Sequence, residues 1–157
     1  MHQIKGELNS RSRFGFSLLE VLIVLAIVGG LALITIPFLS TWQMRNELDQ
    51  AALDLVSHLR RAQSKASYGY FNSEWGIEFK DQTYTLYRGS SFALRDVAYD
   101  EIYTIAKGVS QSNSFMDNVY FTRQGQATRS GYITLTDSYG NTKRVVIFPH
   151  GLIEIEL

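Results

Sequence analysis

The stretch from Phe16 to Leu39, FSLLEVLIVLAIVGGLALITIPFL, carries one charge, Glu20, and constrains the chain more than any other feature. At a rise of about 1.5 Å per residue it makes roughly 36 Å of helix, enough to cross a hydrocarbon core of about 30 Å with some tilt. A buried core helix of that length needs a domain large enough to surround it, and the rest of a 157-residue chain does not supply one. A secretory signal would end at a small-residue cleavage site. Beyond Leu33 the chain instead reads ITIPFLSTWQMRNE, bulky and then polar. The natural reading is a membrane span retained on the protein, and a plain uncleaved single-pass anchor stays open as an alternative.

Charge is arranged around this run. Residues 1–15 hold Lys5, Arg11 and Arg13 against Glu7 alone. The whole chain balances 15 Lys+Arg against 15 Asp+Glu, so the remainder is slightly acidic. A basic segment just before an apolar run holds that end in the cytoplasm. There is no Cys, hence no disulfide framework and no thiolate metal site, and stability must come from packing.

Glu20 separates this segment from a generic anchor. A carboxylate within a bilayer costs about 2.5–3.5 kcal/mol and calls for a partner. Cutting between Gly15 and Phe16 would create one, the α-amino group of Phe16, four residues before Glu20. That amine can reach its own Glu20 or, between staggered helices, a neighbour's, which would make the pairing depend on register. Snorkelling of Glu20 to the headgroups is the other reading, since it lies near the cytoplasmic end.

Residues Arg13 to Ala26, RFGFSLLEVLIVLA, resemble the processing site of type IV pilins and type II secretion pseudopilins: Gly, then Phe, then Glu as the fifth residue after the Gly, opening an apolar helix. The resemblance implies that Gly15 ends a leader removed on the cytoplasmic face by prepilin peptidase. It also implies that Phe16 becomes an N-methylated terminus, and that Pro37 sits where the family places its helix-bending proline. Physically, Pro37 removes a helical hydrogen bond and crowds the preceding turn, while Gly29 and Gly30 each cost about 1 kcal/mol relative to Ala. Gly29 to Pro37 is therefore the part most able to bend or melt, as this segment does in related filaments.

From Thr41 to about Ser67 the helical pattern turns amphipathic. Leu48, Ala52, Leu55, Leu59, Ala62 and Ala66 recur at steps of three and four, with charged residues mostly elsewhere. One face is built to cover the chain's own sheet. The helix should stop near Tyr68 and Gly69, where Gly can take a left-handed cap.

After Gly69 the pattern is short strands divided by turns. Trp75, Ile77 and Phe79 alternate with Gly76 and Glu78; Asp81 and Gln82 make a turn; Tyr84 and Leu86 resume, with Thr85 and Tyr87 outward. Further strands are expected near Glu101–Ala106, Asn118–Thr122, Gly131–Thr136, Lys143–Phe148 and Leu152–Glu156, with turns at Asp137–Asn141 and Pro149–Gly151. VVIF, apolar on both faces, reads as a central strand, and the last strand as one with a face in water. The expected fold is α+β: a long N-terminal helix, membrane-spanning in its first half and amphipathic in its second, packed on a mostly antiparallel sheet. Expected divisions are a leader at 1–15, a transmembrane or filament-core helix at 16–39, its amphipathic extension at 40–69 and a β-rich head at 70–157.

The helix LVSHLRRAQSKA leading into WGIEF, with the closing pattern FTRQGQATRSGYITLTDSYGNTKRVVIFPHGLIEI, resembles the H-type minor pseudopilins of type II secretion and the related FimT-type minor pilins. That likeness implies a non-enzymatic minor subunit of a secretion pseudopilus or type IV pilus. It would be held in the inner membrane by one span, with its head outside the cytoplasm. Its partners would be other pilin subunits, prepilin peptidase, an assembly platform and the platform's ATPase.

Other chemistry has weaker support. No G-x-S-x-G, G-x-x-x-x-G-K, G-x-G-x-x-G or H-E-x-x-H motif occurs. His58 and His150 read as surface or packing residues, and neither cofactor nor metal is expected. Asp137 and Asn141 are oxygen donors at a turn without EF-hand spacing. Some FimT-type pilins bind DNA, and a patch of Arg123, Arg129, Lys143 and Arg144, with Tyr132 and Tyr139 to stack bases, would be this chain's version. Phosphate binding wants a concentrated positive field, which an acidic mature chain ending in Glu154 and Glu156 opposes.

Overall fold

The computed structural model describes residues 15–115 and 118–156, leaving aside the side chains of residues 33–41 and 70. Lys5, Glu7, Arg11 and Arg13 of the expected leader, and the side chain of Pro37, lie outside the described residues. The chain divides into two compact units, Met1–Leu39 and Ser40–Leu157. Helix α1, Leu18–Ser67, contributes turns to each.

In the first unit the α1 backbone is helical through Gly29, Gly30 and Pro37. Its described apolar residues are exposed, among them Leu18, Leu22, Leu25 and Leu31. Among the described residues no helix is long and apolar enough to cross a membrane. Leu18 to Ala32 makes only about 22 Å of helix, and the residues that complete the expected span, 33–39, fall outside the described side chains.

The second unit is a helix and two antiparallel sheets around one core. All six residues of the predicted stripe, Leu48, Ala52, Leu55, Leu59, Ala62 and Ala66, are buried. Fully burying a leucine contributes about 1.5–3 kcal/mol, and the three alanines let a sheet approach closely. The helix stops as expected: Gly69 is left-handed at φ 63° and its N–H donates to the Ala66 carbonyl at 3.0 Å.

The strands are β1 (Trp75–Lys80), β2 (Thr83–Arg88), β3 (Glu101–Thr104), β4 (Val109–Asn113), β5 (Asn118–Phe121), β6 (Gly131–Asp137), β7 (Thr142–Ile147) and β8 (Ile153–Glu156). One sheet has the order β3-β2-β1-β5, the other β4-β6-β7-β8. The β1–β2 hairpin turns at Asp81 and Gln82 as predicted, pairing Lys80 with Thr83. β7, which carries the doubly apolar run, has a strand on each side, and β8 closes its sheet with Glu154 and Glu156 exposed. Inward residues of both sheets, including Trp75, Phe121, Ile133 and Val145, join the helix stripe in one cluster.

Two expectations need correction. β4 was not legible, because VSQSN has one buried residue, Val109, and otherwise reads as a polar loop. Tyr87, expected outward, is fully buried. The outer face it stands on is covered by the stretch after β2, with Phe92 edge-on to its ring at 5.5 Å. Gly76 makes room for it, since a Cβ there would lie 2.6 Å from the Tyr87 hydroxyl oxygen.

Candidate processing and assembly site

Gly15, Phe16 and Ser17 precede the helix in non-helical backbone. The first turn closes when the Ser17 carbonyl accepts the Val21 N–H at 3.2 Å. The Gly15–Phe16 bond thus lies in backbone free of the helical ladder, the form a peptidase can bind extended. A Cβ at Gly15 would meet nothing within 4 Å. Among the described residues nothing therefore asks for glycine there, and a requirement for it would come from what binds the site. The same holds for Gly29 and Gly30, whose added Cβ atoms also meet nothing.

Glu20 lies in the first turn of α1. Its carboxylate is favoured there by the partial positive charge of the helix start. Ser17 immediately before the helix and Glu20 three residues later also have capping-box spacing, a signal that a reading for charge alone passes over. A free amine at Phe16 would sit against that positive end, and Glu20 is the acidic group one turn away that offsets it. Phe16 is 82% exposed and Leu18 79%. With the exposed leucines that follow, they form an apolar surface that needs lipid or other helices to cover it.

The four basic residues considered for nucleic acid are not gathered on one face. Lys143 and Arg144 are neighbours on β7 and so point to opposite faces. Lys143 pairs with Asp49 at 3.1 Å, and Arg144 with Glu156 at 3.3 Å, while Arg144 also lies over the Tyr132 ring. Arg123 donates to the Asn72 side chain and Arg129 to the Phe115 carbonyl. Each is held by this chain's own acceptors, which dilutes the field that phosphate binding needs.

Asp137 is likewise used internally. Its carboxylate accepts the N–H groups of Tyr139 and Asn141 and the Asn141 side-chain amide at 2.7–2.9 Å. Burial alone would raise its pKa, but these bonds, with Arg45 nearby, outweigh it and hold the carboxyl below its ordinary value. The group closes the β6–β7 turn, and among the described residues no cluster of three metal-ligating side chains occurs.

His58 is a packing residue with a pH consequence. Its ring stacks on Tyr103 at 3.7 Å, and Nδ1 hydrogen-bonds with the Tyr84 hydroxyl at 2.7 Å. Burial, joined by Arg61, pushes its pKa down against the opposing pull of Asp54 and Glu101. Glu101 itself is held low despite burial by Lys65, Tyr103 and Arg61. As pH falls through 6.5 the unfolded chain takes up a proton at His58 before the folded one does. Stability should therefore drop between pH 7 and pH 5. The lowered carboxylates of Asp137 and Glu101 lose their contribution only at more acid pH. Thermal midpoints measured across that window should fall less in His58→Gln than in the parent; equal falls would remove the assignment.

The prokaryotic N-terminal methylation motif matches residues 10–36. No curated protein sequence matches the chain. In structure it is similar to the minor pseudopilin EpsH from the type 2 secretion system of Vibrio cholerae. One structure of that protein gives a TM-score of 0.56 at 10% identity over 70% of this chain and 96% of that one. A second gives 0.53 at 11% over 70% and 93%. At such identity the likeness carries the fold alone.

The chain thus carries the prokaryotic N-terminal methylation motif at residues 10–36 and a fold similar to that of the minor pseudopilin EpsH.

Proposed function

We propose that the chain is a minor pseudopilin, cut between Gly15 and Phe16 by prepilin peptidase, N-methylated at Phe16 and assembled with other pilin subunits. A secretion pseudopilus is the preferred setting because EpsH, whose fold it shares, serves type 2 secretion. Before assembly the helix from Phe16 to Leu39 holds it in the cytoplasmic membrane by a single span, with the head outside the cytoplasm. An assembly platform and its ATPase then extract it. Gly29, Gly30 and Pro37 supply the helix's compliance during that transfer. The apolar face passes from lipid to the filament interior, so little of it need meet water.

The observation that carries the reading is Glu20 in the first turn of an exposed apolar helix, one turn after a bond whose cleavage makes its counter-ion. Mass spectrometry of the chain from its native membrane should find an N-methylated Phe16 at the terminus; an intact Met1 would end the proposal. Glu20→Gln should be cut normally yet enter filaments roughly tenfold less or worse, since a buried amine left unpaired costs about 3–5 kcal/mol. Undiminished incorporation would leave a simple tether as the better description.

A further inference from the structure

Trp42 is 58% exposed and follows Leu39, the end of the proposed span, by three residues. Three residues of chain reach at most about 11 Å in any conformation, so the ring stays at or beside the headgroups of that bilayer. Met44 is two residues further on, about 3 Å along α1 and about 200° around it. Its sulfur is held by two turns of the head. A Cβ at Gly108, between β3 and β4, would lie 2.8 Å from it, and the Ser138 hydroxyl, between β6 and β7, donates to it at 3.6 Å. Both turns therefore stand level with Trp42, on the other side of the helix.

These turns present Tyr139, 55% exposed, and the exposed Lys107. Arg45, also exposed, lines a groove with Gly140 and Asn141. Trp, Tyr, Lys and Arg gathered round one end of a domain are the composition of a membrane–water interface, where amphipathic rings sit among the headgroups. Charge at this end is balanced. Asp49 pairs with Lys143, and Asp137 accepts the N–H groups of its own turn. That leaves Arg45 and Lys107 against Glu47, beside Gly108, and Asp81, whose neighbour Gln82 lines a cleft with Lys107 and Ser138.

We infer that this end of the head rests on phospholipid headgroups before assembly, with Trp42 on one side of the helix and Tyr139 and Lys107 on the other. The inference rests on the membrane-anchored reading of the chain. Contact on both sides of the helix sets the head's tilt before a neighbouring subunit is met. With no net charge at the contact, anionic and zwitterionic lipids serve equally.

The chain holds two tryptophans, and Trp75 is buried, so Trp42→Phe combined with Tyr139→Trp reports on the β6–β7 turn. The full chain is placed in phosphatidylcholine vesicles with and without a lipid bearing a nitroxide on its headgroup. Emission of the Tyr139→Trp variant is expected to fall with the nitroxide lipid, and by the same fraction when phosphatidylglycerol is mixed in. The control, Trp42→Phe with Gln124→Trp, should lose nothing. Its turn packs Gly125 on Ser67, about 35 Å further along α1 than Met44. An unchanged thermal midpoint shows each variant folded. Emission of Tyr139→Trp indifferent to the nitroxide, equal loss in both variants, or loss only with phosphatidylglycerol would each overturn the inference. Flotation with the vesicles reads anchoring separately. A chain that floats with Tyr139→Trp unquenched keeps the membrane reading and loses this one, and a chain that does not float loses both.

Discussion

Replacing Gly15 with valine is expected to leave the whole chain uncut, with its leader attached and no N-methylated Phe16 detectable. The residue lies outside the helix and its missing Cβ faces open space. Among the described residues the substitution therefore has no contact to break, and the head should melt at its usual temperature. A β-branched side chain next to the scissile bond matters only to a protein that must close on that backbone. Gly29→Ala is the matching control: it also meets open space, and in a helix it should add about 1 kcal/mol of propensity without touching processing. The measurement is the mass of the membrane-extracted chain. Normal trimming of Gly15→Val would show that glycine is not read at this position. The result separates cutting from assembly, because Glu20→Gln is expected to fail only at the later step.

The parts of the fold that could be read in advance are those with a local period. The stripe from Leu48 to Ala66 repeats at helical spacing over five turns, so each residue's burial follows from its neighbours'. The hairpin from Trp75 to Arg88 has alternation on both arms and a turn between, and its register followed. What could not be read depends on residues far apart in sequence. That the strands divide into two sheets rests on β1 pairing with β5, Trp75 opposite Phe121, while β4 pairs with β6 instead. No periodicity within either strand encodes that choice. Tyr87 alternates correctly as an outer residue, and its burial was set by Phe92 and Gly76, which a pattern within β2 cannot register.

The functional start of the chain was the reverse case. In the reading proposed above, Gly15, Phe16 and Glu20 act through sequence positions that a peptidase or a neighbouring helix would meet directly. The motif was therefore legible before any tertiary arrangement.

The joint that holds the two sheets to the helix was also hidden, and it carries the largest stability effect expected in the head. Gln63 of α1 donates from its amide nitrogen to the carbonyls of Gly125 at 2.7 Å and Gly151 at 2.8 Å. Those carbonyls belong to the turn after β5, in one sheet, and the turn between β7 and β8, in the other. Both glycines need positive φ, 76° and 89°. A Cβ at Gly151 would lie 2.1 Å from the Gly125 carbonyl oxygen and 2.4 Å from the Gln63 nitrogen. Gly151→Ala therefore strains the turn, drives the two turns apart and breaks hydrogen bonds whose buried groups cost about 1–3 kcal/mol when left unsatisfied. The sum should reach about 3 kcal/mol or more, a large share of the 5–15 kcal/mol typical of a domain, and lower the thermal midpoint by roughly 10 °C or more. Gly140→Ala isolates the backbone part, since φ is 84° there and its Cβ would meet nothing; about 1 kcal/mol is expected. Because Gln63 and Gly151 share one joint, Gln63→Ala combined with Gly151→Ala should cost clearly less than the two changes added. Melting curves of the four variants decide it: equal losses for Gly151→Ala and Gly140→Ala would mean the contact across the turns contributes nothing.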